Sequence, residues 1–365
     1  MHAGQALPGR RRGHLDVVAR LPLHSDEVSD LHLDSPESWE VAVTDVKDPH
    51  RASVTERASP IKPPVRPGRV DREREPPRGI MGQGLGQHFV EHDDNVRRNG
   101  MKTAVFFHAH PDDEALLTAG TMAMLADEGH RVVLVVATAG ERGLAELPHG
   151  EELGKARMDE LRSSAAALGC ARVVQLGYGD SGLAIDGGMA DDRADNAFID
   201  VDIEEAAQRL AAILKEETAD LVTIYDPSGG YGHPDHVQVY RVGSRAAEIA
   251  GTPIVLEATV NRDWLVKGVR LAARFYPALD VRSFERAYSA GETITHRVNV
   301  RRHTRAKRTA MAAHVSQASG GNGDRTLGAM LRIPAPIYRY VFGTEWFVQR
   351  GLPPGTRLRH PFGNP

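Results

Sequence analysis

Two short clusters hold most of the side chains that could do chemistry. One is His108-Ala-His110-Pro-Asp112-Asp113-Glu114. The other, more than a hundred residues on, is Tyr225-Asp-Pro-Ser-Gly-Gly-Tyr231-Gly-His233-Pro-Asp235-His236. His110 and Asp113 stand i,i+3 with Pro111 suited to a first helical turn, so both can turn toward one point. An imidazole from the second cluster supplies a third ligand; His236 can do so, but spacing does not choose between His233 and His236. Two imidazoles and a carboxylate leave a coordination place for water, as a catalytic Zn²⁺ site requires, and bring the pKa of that water toward ~7. Asp112, beside the ion but not bound to it, would accept the water proton. His233 would donate a proton to a leaving amine or steady an oxyanion. Asp235 would orient an imidazole from behind. Either cluster alone would pass as a helix cap or a polar loop; together they point to a hydrolytic metal site.

The elements that must position these clusters are regular. Short apolar runs at Thr103–Ala109, Arg131–Thr138, Ala171–Gly177, Asp220–Tyr225 and Pro253–Thr259 read as buried strands. Amphipathic stretches at 114–128, 151–168, 200–217 and His233 or Pro234 to Ala250 read as helices, the first two closed by Gly129 and Gly169. This alternation predicts an α/β fold, a Rossmann-like, doubly wound, mostly parallel sheet with helices on both faces. If the strand order is 3-2-1-4-5 with additional C-terminal elements, the first and fourth strands are neighbours where the order reverses. Ligands bind in that crevice, beyond the carboxyl ends of the strands. Both clusters follow those two strand ends. Beyond Asn261 the alternation weakens; Arg262–Ala273 and Arg301–Ser316 read as helices and Arg297–Val300 as a short strand.

The rest of the sequence bounds the reading. The chain has 365 residues, 45 Lys+Arg against 49 Asp+Glu and one Cys. No overall basic field draws it to nucleic acid or an anionic membrane. No Cys-rich zinc module can form, and no apolar run reaches the ~20 residues of a membrane span. With no secretory signal pattern, the expected address is the cytoplasm. Residues 1–100 hold 10 of the 22 prolines and a dense balance of 15 Lys+Arg with 16 Asp+Glu. They read as a disordered arm, or as an over-extended gene start with Met101 the true beginning. Only Val41–Val46 could seed a short strand or helix. Residues 101–365 form the expected catalytic domain, with a divergent part from about 261.

Ala109-His-Pro-Asp-Asp-Glu114 and Gly232-His-Pro-Asp-His236 resemble the paired signatures of the PIG-L/LmbE-like de-N-acetylase family, which includes mycothiol-pathway deacetylases and amidases and GlcNAc-phosphatidylinositol de-N-acetylases. Supporting likeness comes from Thr138-Ala-Gly-Glu-Arg-Gly143, Arg157-x-x-Glu160, Asp180-Ser-Gly182, and Lys307 with Ala313-His-x-Ser-Gln317. It runs from about Met101 to His314 or Gln317; the region after Ala258 departs most, and the loop from Gly182 to Asn196 is long and rich in Gly and Asp. The resemblance implies that His110, Asp113 and His236 hold Zn²⁺, with Asp112 as general base. It makes His233 the general acid or oxyanion stabiliser, polarised by Asp235, and Tyr231 a mobile aid to the oxyanion. Arg157 and Asp180 would contact sugar hydroxyls or an attached group. Fe²⁺ suits the same nitrogen and oxygen donors.

The expected activity is therefore removal of an N-acyl group, foremost acetate, from an amino sugar or its conjugate, a small-molecule substrate; homo-oligomerisation is left open. Within enzymes the rival is a mycothiol S-conjugate amidase. Outside them it is a metal-binding module without turnover, against which Asp112 and His233 both argue. A phosphoesterase would want a second cation and more carboxylates. Cys170 reads as a packed thiol, His314 as a helix-packing residue, Glu141 and Arg142 as a loop tip, and Arg301–Arg308 as a solvated basic face. The six-residue dinucleotide fingerprint is missing after the first strand, which disfavours a dehydrogenase.

Overall fold

A computed structural model describes residues 41–43, 100–143, 150–183, 193–274, 281–318, 326–353 and 355–363. In chain order the strands are β1 (Val41–Val43), β2 (Thr103–His108), β3 (Arg131–Thr138), β4 (Arg172–Tyr178), β5 (Leu221–Tyr225), β6 (Ile254–Thr259), β7 (His296–Asn299) and β8 (Thr344–Gln349). The helices are α1 (Asp113–Leu117), α2 (Ala119–Asp127), α3 (Glu151–Ala167), α4 (Ile203–Glu216), α5 (Pro234–Ala250), α6 (Arg262–Ala273), α7 (Thr304–Ala313), α8 (Val315–Ala318), α9 (Thr326–Leu331) and α10 (Ala335–Val341). Among the described residues the strands form one sheet in the order β1-β4-β3-β2-β5-β6-β8-β7. Its centre, β4-β3-β2-β5-β6, is parallel throughout and is the expected 3-2-1-4-5 arrangement.

Alternation along β2 explains the two faces. Val105 and Phe107 pack with α4 and α5, whereas Ala104 and Phe106 pack with α2, α3 and α7. Side chains such as Phe106 and Phe107, fully buried, each contribute roughly 2–3 kcal/mol relative to exposure. A strand covered on both faces reads as a continuous apolar run, which is why β2, β3 and β5 were legible.

Three features differ from the sequence reading. Val41–Val43, inside the stretch read as an arm, forms a strand parallel to β4; the remainder of that reading, up to residue 99, lies outside the described residues. The helix expected over 114–128 is two helices, broken at Thr118 (φ −130°, ψ −5°). The break presents the first N–H groups of α2 to a buried carboxylate: Glu345 accepts from Gly120 N (2.9 Å), Thr121 N (2.7 Å) and Thr121 Oγ1 (2.6 Å). A negative charge at a helix N-terminus is the favourable arrangement. Glu345 belongs to β8, the third difference, which runs antiparallel to both β6 and β7. No helix among the described residues is long and apolar enough to cross a membrane.

Lys307 on α7 closes this arrangement, its Nζ 2.7 Å from Glu345 Oε1 and 2.9 Å from the Leu116 carbonyl. Lys307 and Glu345 are both buried. Lys307→Ala leaves the carboxylate in the interior without its cation and should lower unfolding free energy by about 3–5 kcal/mol. Combined with Glu345→Gln, the loss should fall short of the sum of the single losses. Denaturant unfolding measures both; an unchanged midpoint in Lys307→Ala would remove the pair from the stability of the fold.

Candidate metal centre

β2 and β5 are neighbours, and each is followed by one of the two clusters. After β5, Asp226 shapes the glycine-rich loop: Oδ1 accepts from Ser228 N and Gly230 N at 3.0 Å each, and Oδ2 from Thr259 Oγ1 at 2.8 Å. Gly229 and Gly230 have φ near +65°, and a Cβ on Gly229 would meet Val237 N at 2.7 Å, so only glycine serves there. The loop delivers His233 as the N-cap of α5, with Pro234 in the first turn, as expected.

His110, Asp113 and His236 each place a donor atom within 4.8 Å of the others. His110 Nδ1 is 3.4 Å from Asp113 Oδ2, and His236 Nε2 is 3.3 Å from Asp113 Oδ1. All three residues are buried. Among the described residues His236 Nε2 finds no hydrogen-bond partner, and a buried imidazole nitrogen without a partner is costly unless something else occupies it. The donor set of two nitrogens and a carboxylate fits Zn²⁺ or a similar divalent ion.

A second group, His110, Asp180 and His233, is also close enough to share an ion, but two of its nitrogens are already engaged in hydrogen bonds. His110 Nε2 lies 3.1 Å from Asp235 Oδ2. A carboxylate only accepts, so in the neutral ring, the form that can bind a cation, Nε2 carries the proton and Nδ1, the nitrogen facing Asp113, keeps the lone pair. His233 Nδ1 accepts from Asp235 N at 3.1 Å, which leaves the His233 proton on Nε2. Between His233 and His236, it is His236 whose Nε2 faces Asp113 without a hydrogen bond. Asp235 does orient an imidazole, but that of His110. Its carboxylate also accepts from Ser181 N (3.0 Å) and Ser181 Oγ, so the expectation that it polarises His233 is corrected.

Charge in the crevice favours a cation. Burial pulls the His110 pKa down, but Asp180, Asp113 and Asp235 outweigh it and hold it well above the usual value. Burial would raise Asp113, yet His236 and His110 keep it well below the carboxylate range. Burial pushes Asp112 up to about 6 against the pull of Arg157. Asp112 has φ 102°, a conformation a non-glycine residue rarely adopts. Its Oδ2 is 3.2 Å from Arg157 Nη2.

The structure gives Arg157 and Asp180 work within the chain. Each is 3% exposed. Arg157 donates to the carbonyls of Gly140 and Pro111, its guanidinium seated where a Cβ on Gly140 would intrude at 2.2 Å. Asp180 accepts from Gly182 N (2.9 Å) and Arg142 N (3.1 Å). Tyr231 is 55% exposed at the rim, its ring 5.1 Å from that of His236 and 6.2 Å from that of His233. Glu141, read as a loop tip, accepts Asp180 N at 2.8 Å. Tyr225, which had no assigned role, stacks on His236 at 4.3 Å and meets His108 Nδ1 at 2.9 Å through its hydroxyl. Its position at a strand end beside the ligand cluster was the available signal. Cys170 is a buried free thiol.

Comparison with known proteins places these residues in a family context. The family model described as "PIG-L: GlcNAc-PI de-N-acetylase" matches residues 105–247. A 1D-myo-inositol 2-acetamido-2-deoxy-alpha-D-glucopyranoside deacetylase of Geodermatophilus obscurus is 33% identical over 270 residues, 66% of this chain and 89% of that protein. The protein of the same name from Mycobacterium sp. (strain KMS) is 35% identical over 280 residues, 69% of this chain and 85% of its own. Among solved structures, the N,N'-diacetylchitobiose deacetylase of Pyrococcus horikoshii is 24% identical, covering 71% of this chain and 87% of that one with a TM-score of 0.45.

The hydrogen-bond argument makes a differential prediction. His236→Ala should abolish tight cation binding, while His233→Ala should retain it. Asp235→Asn should weaken binding about 10–100-fold by releasing the His110 tautomer. Metal titration of the stripped protein reads all three, and equal losses in His233→Ala and His236→Ala would undo the assignment.

Proposed function

This chain belongs to the PIG-L de-N-acetylase family, and on that premise we propose that it is a divalent-metal-dependent hydrolase that removes the N-acetyl group from an amino-sugar conjugate. The substrate class we favour is an N-acetylglucosaminyl-inositol, the compound named in the relatives above, and the ion we favour is Zn²⁺. The observation that carries the reading is the convergence of His110, Asp113 and His236 with Asp112 beside them, unligated and paired to Arg157.

His110 Nδ1, Asp113 and His236 Nε2 would hold the ion. When bound, it would supply a Lewis acid for the amide carbonyl and a lowered pKa for the attacking water. Asp112 accepts the water proton as the new C–O bond forms. As the carbonyl oxygen gains charge, the Nε2–H of His233 donates to it, with Tyr231 at the rim able to add a second donor. Of the two roles open to His233, oxyanion donor is favoured over acid. Its Nδ1 is engaged by Asp235 N, and burial, with His110 and His236, brings its pKa down to about 3. The ring is neutral at pH 7. The proton held by Asp112 then passes to the amine as the C–N bond breaks, releasing acetate and a free amino sugar. A substrate that reached Arg157 or Asp180 would have to displace one of the bonds they make to their own loops.

Asp112→Asn should retain about one ion per chain and lose roughly 10²–10⁴ in kcat, whereas His110→Ala should lose the ion. Equal metal loss in both variants would refute the division of roles. Because the base must be ionised, kcat/KM should fall as pH drops through about 6, with the cation's charge drawing that limb lower. The limb should be missing from whatever activity Asp112→Asn retains. A panel of N-acetylglucosaminyl-inositol, simple N-acetyl amino sugars and S-conjugated amides tests the substrate class. Release of acetate from the inositol conjugate supports it, and cleavage confined to S-conjugates would instead make the protein an amidase.

A further inference from the structure

Behind Asp112 lies a buried cluster that no step above uses. The N–H of Asp112 donates to Glu114 Oε2 at 3.0 Å. The other oxygen of Glu114 receives Ser164 Oγ from α3 at 2.6 Å and His314 Nε2, just past α7, at 2.6 Å. Glu114, Ser164 and His314 are all 0% exposed. Asp112 is thus gripped at both ends, its carboxylate by Arg157 (3.2 Å) and its amide by Glu114. A non-glycine residue stays at φ 102° only when its neighbours over-determine it.

We propose that Glu114 and His314 are positioning residues for the reaction. Together they clamp the amide of Asp112 so that its carboxylate stands beside the ion without binding it. His314 fixes the orientation of the Glu114 carboxylate, and Glu114 fixes the peptide of Asp112. The C-terminal segment, far away in sequence, thereby completes the geometry of the base. This rests on Asp112 being the base, and the test separates the two claims.

Kinetics on metal-loaded full-length protein with an N-acetylglucosaminyl-inositol substrate would compare Glu114→Ala, Glu114→Gln and His314→Ala, alone and combined with Asp112→Asn. The alanine variants should lose on the order of 10–100-fold in kcat, with KM within about twofold and the ion retained. Glu114→Gln should recover most of that loss, because its amide oxygen can still accept the Asp112 N–H. In the Asp112→Asn background the same alanine changes should cost nothing further, since groups acting as a unit are not additive. Equal costs in both backgrounds, or full turnover in folded Glu114→Ala, would overturn the clamp. Loss of the ion in step with turnover would overturn it too, making the cluster a scaffold for the metal ligands. If Asp112→Asn alone keeps full turnover, it is the assignment of the base that fails. Should an alanine variant not fold, His314→Asn, whose shorter amide cannot reach Glu114, carries the same comparison.

Discussion

Burying many ionisable groups in one crevice is the constraint from which the rest follows. His110, Asp113, Glu114, Asp180, Asp235, His236 and His314 are each less than a tenth exposed. Charge that deep is tolerated only where every group has a partner. The fold supplies partners from all sides. Loops after β3 and β4 give backbone N–H groups to Asp180, Ser181 serves Asp235, α3 provides Ser164 and Arg157, and the end of α7 provides His314. The parallel sheet makes this feasible because its strand ends and helix starts gather at one edge. Against that background His236 Nε2 stands out among the candidate ligands: it is buried without a hydrogen bond among the described residues and lies 3.3 Å from Asp113 Oδ1.

The fold and the meeting of the two clusters were more legible in the sequence than the details of support. Strand order and most helix bounds were legible because buried strands and amphipathic helices write themselves as runs and periods. The ligand types were legible because two clusters followed two strands. β8 was not, and the reason is physical. Its inward positions are Glu345 and Phe347, so one core position is a carboxylate that only the approach of α2 and Lys307 makes acceptable. The break at Thr118 was hidden for the same reason, since the groups that support it, His108 on Thr118 at 2.9 Å and Glu345 on Gly120 and Thr121, come from other elements. The family resemblance implied substrate contacts for Arg157 and Asp180 and a His233 contact for Asp235. Their partners are set by loop geometry that a linear pattern does not encode.

Strain and proton placement decide among the classes of protein that could hold such an ion. A two-cation phosphoesterase would need a second complete donor set. The neighbouring group of His110, Asp180 and His233 shares His110 with the first, and the nitrogen it would use is already committed to Asp235. A protein that only stores or transports a cation has no use for Asp112 as it stands. Holding a non-glycine residue at φ 102° costs about 1–3 kcal/mol, and keeping a partly buried carboxylate there with a raised pKa adds to that cost. Glycine at 112 would relieve both and leave His110, Asp113 and His236 untouched. The chain instead spends Arg157, Glu114 and His314 on keeping that carboxylate in place. Such support is intelligible where a base must stand within reach of a water molecule and release its proton again, the requirement of amide hydrolysis.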